Sequence, residues 1–295
     1  MSRTMAAVAS EAGFNLPDDW NASRLLWDNL EHNADRTAYY YQDEVWTYAD
    51  LASEAARIGS HLRDEGCQPG DRVLLFLDDT PTYPAAIMGA LRAGLVPMLI
   101  NTLSPEEMVQ FFLEDSEATA AVVAKAFTGL FSVENLKSTS CNTVHIAEER
   151  PWDNASDRLE EHPVSRGDMA FWMYSSGSTG KPKGVVHDHE DAAYVCDTFG
   201  AHILEIGPDD ICFSVPKIFF AYGFGNSVLF PMRVGAATVL LSGRPTPNRV
   251  LDMIATKRPT MFFALPTVYS TLVNSPDFET ADMSSVRRFL SAAEV

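Results

Sequence analysis

Tyr174-Ser175-Ser176-Gly177-Ser178-Thr179-Gly180-Lys181-Pro182-Lys183-Gly184 lies between two short apolar runs, Met169 to Tyr174 and Val185 to His187. Both runs read as strands. Three glycines let the backbone approach an anion closely and take up positive φ. The hydroxyls of Ser175, Ser176, Ser178 and Thr179 can donate to phosphate oxygens. Lys181 and Lys183 add positive point charges suited to a leaving polyphosphate. The spacing is not a Walker A loop, because proline follows Lys181 where serine or threonine is needed. It is not a dinucleotide fingerprint either, since no G-x-G-x-x-G follows a strand. A flexible Gly/Ser linker is the competing reading. A linker has no reason to set Lys-Pro-Lys-Gly between strands, so the run predicts a phosphate-holding loop.

Apolar strands and amphipathic helices alternate on both sides of this loop. Upstream, a helix is expected over Ser23 to Asn33, then a hairpin of Ala38 to Tyr41 and Val45 to Thr47. Leu51, Ala55, Ile58 and Leu62 mark a helix from Tyr48 to Asp64 that closes at Gly66. Strands follow at Arg72 to Leu77, Leu95 to Ile100 and Thr119 to Val123, with helices at Ala85 to Ala93 and from Ser104 to about Asp115. Ser104-Pro105-Glu106-Glu107 reads as a capping box with proline at the first helical position. Lys137 to Arg166 is polar, acidic and weakly patterned, and reads as a connection. Downstream, strands fit Ile211 to Val215, Ala237 to Leu241, Met261 to Ala264 and Arg287 to Ser291. Helices fit Asp191 to Ile203, Gly225 to Val234, Pro247 to Lys257 and Pro266 to Val273. The alternation predicts an α/β fold with largely parallel sheets. The last strand stops four residues before Val295, at the end where α/β folds build function. A piece of a longer protein is therefore expected, with a natural terminal strand as the alternative.

The 295 residues suffice for one large or two smaller domains with a buried core. Forty acidic residues against 22 basic ones give a net charge of −18. That field repels nucleic acid and anionic membrane, so neither is an expected partner. A bound polyphosphate then needs a local exception built from backbone N–H groups and placed cations. Cys67, Cys141, Cys196 and Cys212 form no C-x-x-C pair and read as thiols in a reducing cytosol. Residues 1–14 make a poor signal peptide, and Ala85 to Ile100 is interrupted by Arg92 and Pro97. A cytoplasmic protein is expected. His187-Asp188-His189 reads as a polar turn, because alternate strand residues face opposite ways and cannot share an ion there. Met88, Met98 and Met108 read as core packing.

The loop resembles the phosphate-loop signature of the adenylate-forming (AMP-dependent synthetase/ligase) superfamily: hydroxyl, Ser, Gly, hydroxyl, Thr, Gly, any residue, Pro, Lys, Gly. Every defined position is met. Other stretches resemble the benzoate-CoA ligase family within it: Phe14 to Asn21, Asn33 to Tyr39 with Trp46 to Leu51, and Lys217-Ile218-Phe219-Phe220-Ala221-Tyr222-Gly223-Phe224-Gly225-Asn226. The resemblance runs from about Phe14 to the end and matches the first part of a longer family enzyme.

It implies two sheet-bearing subdomains of the adenylate-forming N-terminal domain, incomplete at the C-terminal end: a first over 1–166 and the start of a second over 167–295. The family's small C-terminal domain would be absent. It implies AMP-forming activation of an aromatic carboxylic acid, benzoate or a substituted benzoate, with ATP, Mg²⁺ and coenzyme A. A homodimer is allowed. Phosphate binding carries over to Ser175, Ser176, Gly177, Ser178, Thr179, Gly180 and Lys183, and the acid pocket to Phe220, Ala221, Tyr222 and Gly223. A flat acid wants an apolar slot with aromatic walls, and Gly223 would leave room near the ring. Ser291 to Val295 resembles the family's Ser-Ala-Gly-Glu turn, which places Ala292, Ala293 and Glu294 on the adenine side, with Ala293 where glycine is usual. No residue is assigned as a covalent nucleophile or metal ligand. The downstream Mg²⁺ acid, ribose aspartate and adenylation lysine fall outside the chain, so these residues alone are expected not to turn over. A fatty-acyl or other acid–thiol ligase is the alternative within the superfamily. A non-catalytic nucleotide- or carboxylate-binding module is the alternative outside it.

Overall fold

The computed structural model describes residues 9–11, 13–175 and 182–292. Its twelve strands form two six-stranded sheets, and the α/β class expected from the alternation holds. One sheet runs β12 (Arg288–Ser291), β11 (Met261–Ala264), β9 (Ile211–Ser214), β10 (Ala237–Leu240), β1 (Thr37–Tyr41), β2 (Glu44–Thr47). The other runs β6 (Thr143–Ile146), β5 (Ala120–Val123), β3 (Arg72–Phe76), β4 (Val96–Leu99), β7 (Met169–Ser175), β8 (Lys183–Asp188). All pairings are parallel except the hairpins β1–β2 and β7–β8.

The boundary expected at residue 166 does not separate the sheets. The early hairpin β1–β2 joins strands from the last third of the chain, and β7–β8 closes the sheet built from residues 72–146. β1 pairs with β10, Tyr39 opposite Thr238, through backbone hydrogen bonds that periodicity does not encode. One core cluster accordingly draws residues from both sheets, including Tyr39, Leu75, Phe171, Phe224 and Phe263.

Central strands β3, β4 and β5 are apolar runs because both their faces are covered. The Tyr48–Asp64 helix starts on a complete capping box: Asp50 N–H donates to Thr47 Oγ1 at 3.1 Å, and Thr47 N–H donates to Asp50 Oδ2 at 2.9 Å. It crosses the Thr82–Arg92 helix at Gly59 and Gly89. A Cβ on Gly89 would stand 2.1 Å from the Ala55 carbonyl oxygen, so only glycine permits this approach. Met88 and Met98 are fully buried and Met108 packs at the edge of a second cluster, as read. All four cysteines are free and buried.

Three local readings change. The capping box at Ser104 does not form: Pro105 is itself the N-cap, extended at φ −70° and ψ 164°, and the helix is Glu106–Ser116. Ser104 lies one residue too early to cap it. The connection over 137–166 contains strand β6, paired in parallel to β5. It also carries Trp152, whose indole is wholly buried and donates to Glu54 at 2.8 Å. The helices expected over 191–203 and 225–234 contain wide π turns at Cys196–Ala201 and Gly225–Leu229. Such turns interrupt ordinary helical spacing and recur at functional sites.

Candidate functional site

β7 and β8 pair in register from Phe171 opposite His187 to Ser175 opposite Lys183. Two phosphate-loop residues, Ser175 and Lys183, thus face each other, exposed, at the open end of the hairpin. Ser176, Gly177, Ser178, Thr179 and Gly180 lie outside the described residues, as do Ala293 and Glu294 on the expected adenine side.

The stretch expected to line an acid pocket follows β9. In a parallel sheet the carboxyl ends share one edge, and the connections leaving them build ligand sites. Register places Ser214 beside Phe263, and Ala264 beside Ser291. The segment after β9, the residue after β11 and Ala292 after β12 therefore leave the same edge. Val215 to Phe220 turns there into the Ala221–Phe224 helix, which continues through the Gly225–Leu229 π turn.

The structure divides the four expected pocket residues. Ala221 lines a cavity of about 540 Å³, together with Gly225, Phe224, Phe171, Val195 and Phe199 among others. Tyr222 faces elsewhere, its ring edge-on to Phe263 of β11 at 6.3 Å. Its hydroxyl is buried beside the Asn226 side chain one turn later, and neither group makes a hydrogen bond of good geometry among the described residues. Burial pushes the Tyr222 phenol up to about 12, so it stays a neutral O–H donor. Phe220 is 47% exposed and stacks edge-on to Phe219. Gly223 leaves no room near a ring: a Cβ there would meet the Lys217 carbonyl oxygen at 2.0 Å. Its role is to let the helix start lie directly on the preceding turn.

That turn is pinned by groups the sequence reading did not single out. Lys217 Nζ donates to Asp78 Oδ1 at 3.0 Å and to the Leu241 carbonyl at 2.6 Å, and lies 3.9 Å from Asp79 Oδ2. Ile218 N–H donates to Asp79 Oδ1 at 3.1 Å, and Gly243 N–H donates to Asp78. The carboxylates follow β3, while Lys217 and Gly243 follow β9 and β10, so the cluster ties the two sheets at their carboxyl ends. Burial raises the Asp79 carboxyl to about 7, against the pull of Lys217. Burial also acts to raise Asp78. There the charge and hydrogen bond of Lys217, with N–H donors from Gly243 and Asp79, outweigh it and hold the carboxyl low. Two acids directly after a buried strand were the available signal, since such residues seldom sit there unpaired.

The cavity's polar lining comes from His187 near the end of β8 and from Asp191, Tyr194 and Thr198 on the helix that follows. His187 stacks on Phe171 with centroids 4.7 Å apart and planes at 15°, and its Nδ1 is 3.1 Å from Asp191 Oδ2. His189 points away; its Nδ1 accepts the Ala22 N–H at 3.0 Å. Phe171 meets Phe224 edge-on at 5.1 Å, so the cavity wall joins the two sheets' elements. No helix among the described residues is long and apolar enough to cross a membrane.

Known proteins match this arrangement along nearly the whole chain. Benzoate–CoA ligase of Thauera aromatica is 36% identical, the match covering 99% of this chain and 56% of that protein. The 4-hydroxybenzoate–CoA/benzoate–CoA ligase of Rhodopseudomonas palustris is 32% identical, over 94% and 53%. Among solved structures, the anthranilate CoA ligase AuaEII in complex with anthranoyl-AMP superposes with a TM-score of 0.91 at 29% identity, covering 97% of this chain and 57% of that one. A benzoate CoA ligase from Burkholderia xenovorans LB400 gives 0.84 at 34%, covering 92% and 55%. The chain spans about half the length of the curated relatives it matches. Residues 26–295 match the family described as AMP-binding enzyme, and on that match, with both sheets in place, the chain belongs to the AMP-binding enzyme family.

Proposed function

We propose that this protein serves the ATP-dependent activation of an aromatic carboxylic acid, forming an acyl-adenylate and passing the acyl group to coenzyme A. The observation that carries the reading is the placement of the Phe219 to Asn226 stretch. It supplies Ala221 and Gly225 to an apolar cavity and Tyr222 to the carboxyl edge of the parallel sheet. The names of the relatives support the aromatic class.

A carboxylate is a poor electrophile because oxide is a poor leaving group. Attack of a carboxylate oxygen on the α-phosphorus of ATP expels pyrophosphate and gives a mixed anhydride. Coenzyme A thiolate then attacks the acyl carbon, and AMP leaves. The protein's work is alignment and charge neutralisation. Ser175 and Lys183, with Ser176 to Gly180 between them, are assigned to the phosphates. Phe220, Ala221, Tyr222 and Gly223 are assigned to holding the acid, Gly223 through the turn beneath it. Ala292, with Ala293 and Glu294, is assigned to the adenine side. Mg²⁺ would accompany the nucleotide and share the neutralisation of its phosphates. The residues over 1–166 and 167–295 would act as two subdomains whose sheets exchange hairpins, in a cytoplasmic protein that needs no membrane or nucleic-acid partner.

The test is calorimetric binding of non-hydrolysable adenylate mimics, benzoyl- and octanoyl-sulfamoyl adenosine, to the chain. The benzoyl mimic is expected to bind at least tenfold more tightly. Equal or tighter binding of the octanoyl mimic, or binding of neither, overturns the reading.

A further inference from the structure

The cavity beside Ala221 is far larger than benzoate requires. An apolar cavity of about 150 Å³ already holds benzene, whereas this one measures about 540 Å³. Its walls are mainly aromatic and aliphatic, and the two π turns widen the helices that border it, through Thr198 and Phe199 on one side and Gly225 and Leu229 on the other.

Its polar side chains are mostly committed. Thr198 Oγ1 donates to the Tyr194 carbonyl at 2.6 Å, and the Asp191 carboxylate accepts from the Asp188 N–H at the start of its own helix. His187 is different. Stacking on Phe171 fixes its plane, and in the neutral ring a hydrogen bond to the Asp191 carboxylate makes Nδ1 the donor. The other nitrogen, Nε2, makes no hydrogen bond to any described residue, and in that tautomer it is an acceptor.

We propose that the activated acid is a carboxylic acid with an apolar aromatic body of about two rings, carrying a hydroxyl or amino hydrogen-bond donor that His187 Nε2 receives. This rests on the reading above, in which Ala221 borders the acid site, and it adds the acid's size and its polar group. A site that holds an oriented acceptor rejects the analogue lacking the donor far more strongly than an apolar pocket rejects an extra one.

The same adenylate scaffold tests it. Benzoyl-, biphenyl-4-carbonyl- and 4′-hydroxybiphenyl-4-carbonyl-sulfamoyl adenosine are titrated into the chain by calorimetry. The hydroxybiphenyl mimic is expected to bind best, at least tenfold better than the biphenyl mimic, which in turn binds better than the benzoyl one. In His187→Leu the hydroxyl preference falls below twofold, while His187→Gln, which keeps an acceptor, retains part of it. Folding of each variant is followed by its circular-dichroism melt. If the benzoyl mimic binds and the biphenyl mimics do not, this inference fails and the aromatic-acid reading stands. If both biphenyl mimics bind equally, His187 has no such role. If no aroyl mimic binds, both readings fail.

Discussion

Replacing Lys217 by Met should destabilise the fold by an amount that depends on pH, and the dependence is the informative part. Lys217 Nζ sits between Asp78 and the buried Asp79, whose carboxyl side chain is 3% exposed. Removing one partner of a buried ion pair costs about 3–5 kcal/mol when the other charge is stranded. Two features lower that figure. Asp78 is 28% exposed and keeps N–H donors from Gly243 and Asp79. Asp79, raised to about 7, escapes its charge by taking a proton. Its folded value lies above the 3.8 expected unfolded. Its contribution is therefore fully present below pH 4 and is lost as pH rises through 7. At about 1.4 kcal/mol per pH unit, the gap is worth at most about 4 kcal/mol.

At pH 8, where Asp79 is ionised and depends on the ammonium, Lys217→Met should cost about 2–3 kcal/mol. At pH 5 Asp79 is neutral, and only the half-open pair with Asp78 is lost, about 1 kcal/mol. Urea unfolding followed by far-UV circular dichroism at both pH values measures this. Asp79→Asn should flatten the wild-type decline between pH 5 and 8. Equal losses for Lys217→Met at the two pH values, or an Asp79→Asn variant with the wild-type slope, would refute the account of this cluster.

Tyr222→Phe deletes a buried hydroxyl that makes no hydrogen bond of good geometry among the described residues, so stability should hold or rise by up to about 1 kcal/mol. Affinity for a benzoyl-adenylate mimic should fall several-fold in the same variant, separating a ligand role from a structural one. Gly223→Ala forces a methyl to 2.0 Å from a main-chain oxygen and should cost about 3 kcal/mol in urea unfolding. Glu54→Ala strands the Trp152 indole N–H and removes both 2.8–2.9 Å bonds to Arg150, and should cost about 3 kcal/mol. A tryptophan emission shift at lower urea would report it.

Elements whose cause is local were legible in the sequence. The helix from Tyr48 to Asp64 carries its stripe and its capping box within one stretch, and the observed limits coincide with the expected ones. The strands flanking the phosphate loop were legible for the same reason. Features caused by distant residues were not. β6 has only four residues, and its strand character comes from β5 beside it. Each π turn holds a glycine, Gly200 or Gly225, at which an added Cβ would stand 3.0 or 2.8 Å from the Phe230 ring, a proximity no helical spacing announces. At the site, motif reading gave neighbouring residues one shared role. Helical geometry turns successive residues about a hundred degrees apart. Ala221 and Gly225 consequently face the cavity, while Tyr222 faces β11.

The interleaving of the sheets bears on the chemistry proposed. The hairpin β7–β8, assigned above to the phosphates, belongs to one sheet, and the segment after β9, assigned to the acid, to the other. Aligning a carboxylate with a phosphorus therefore depends on how the sheets pack, and small errors in that distance cost large factors in rate. Two contacts span the junction close to the site: the Phe171–Phe224 ring pair and the salt bridge from Lys217 to Asp78. The ring pair is non-directional and tolerates sliding. The salt bridge, with Ile218 N–H fixed on Asp79 and Gly243 N–H on Asp78, is directional at three backbone or side-chain donors. It acts on the residues immediately before Phe219 to Tyr222. A variant that loosens it should thus disturb acid binding even where the melt changes little, because position fails before cohesion does.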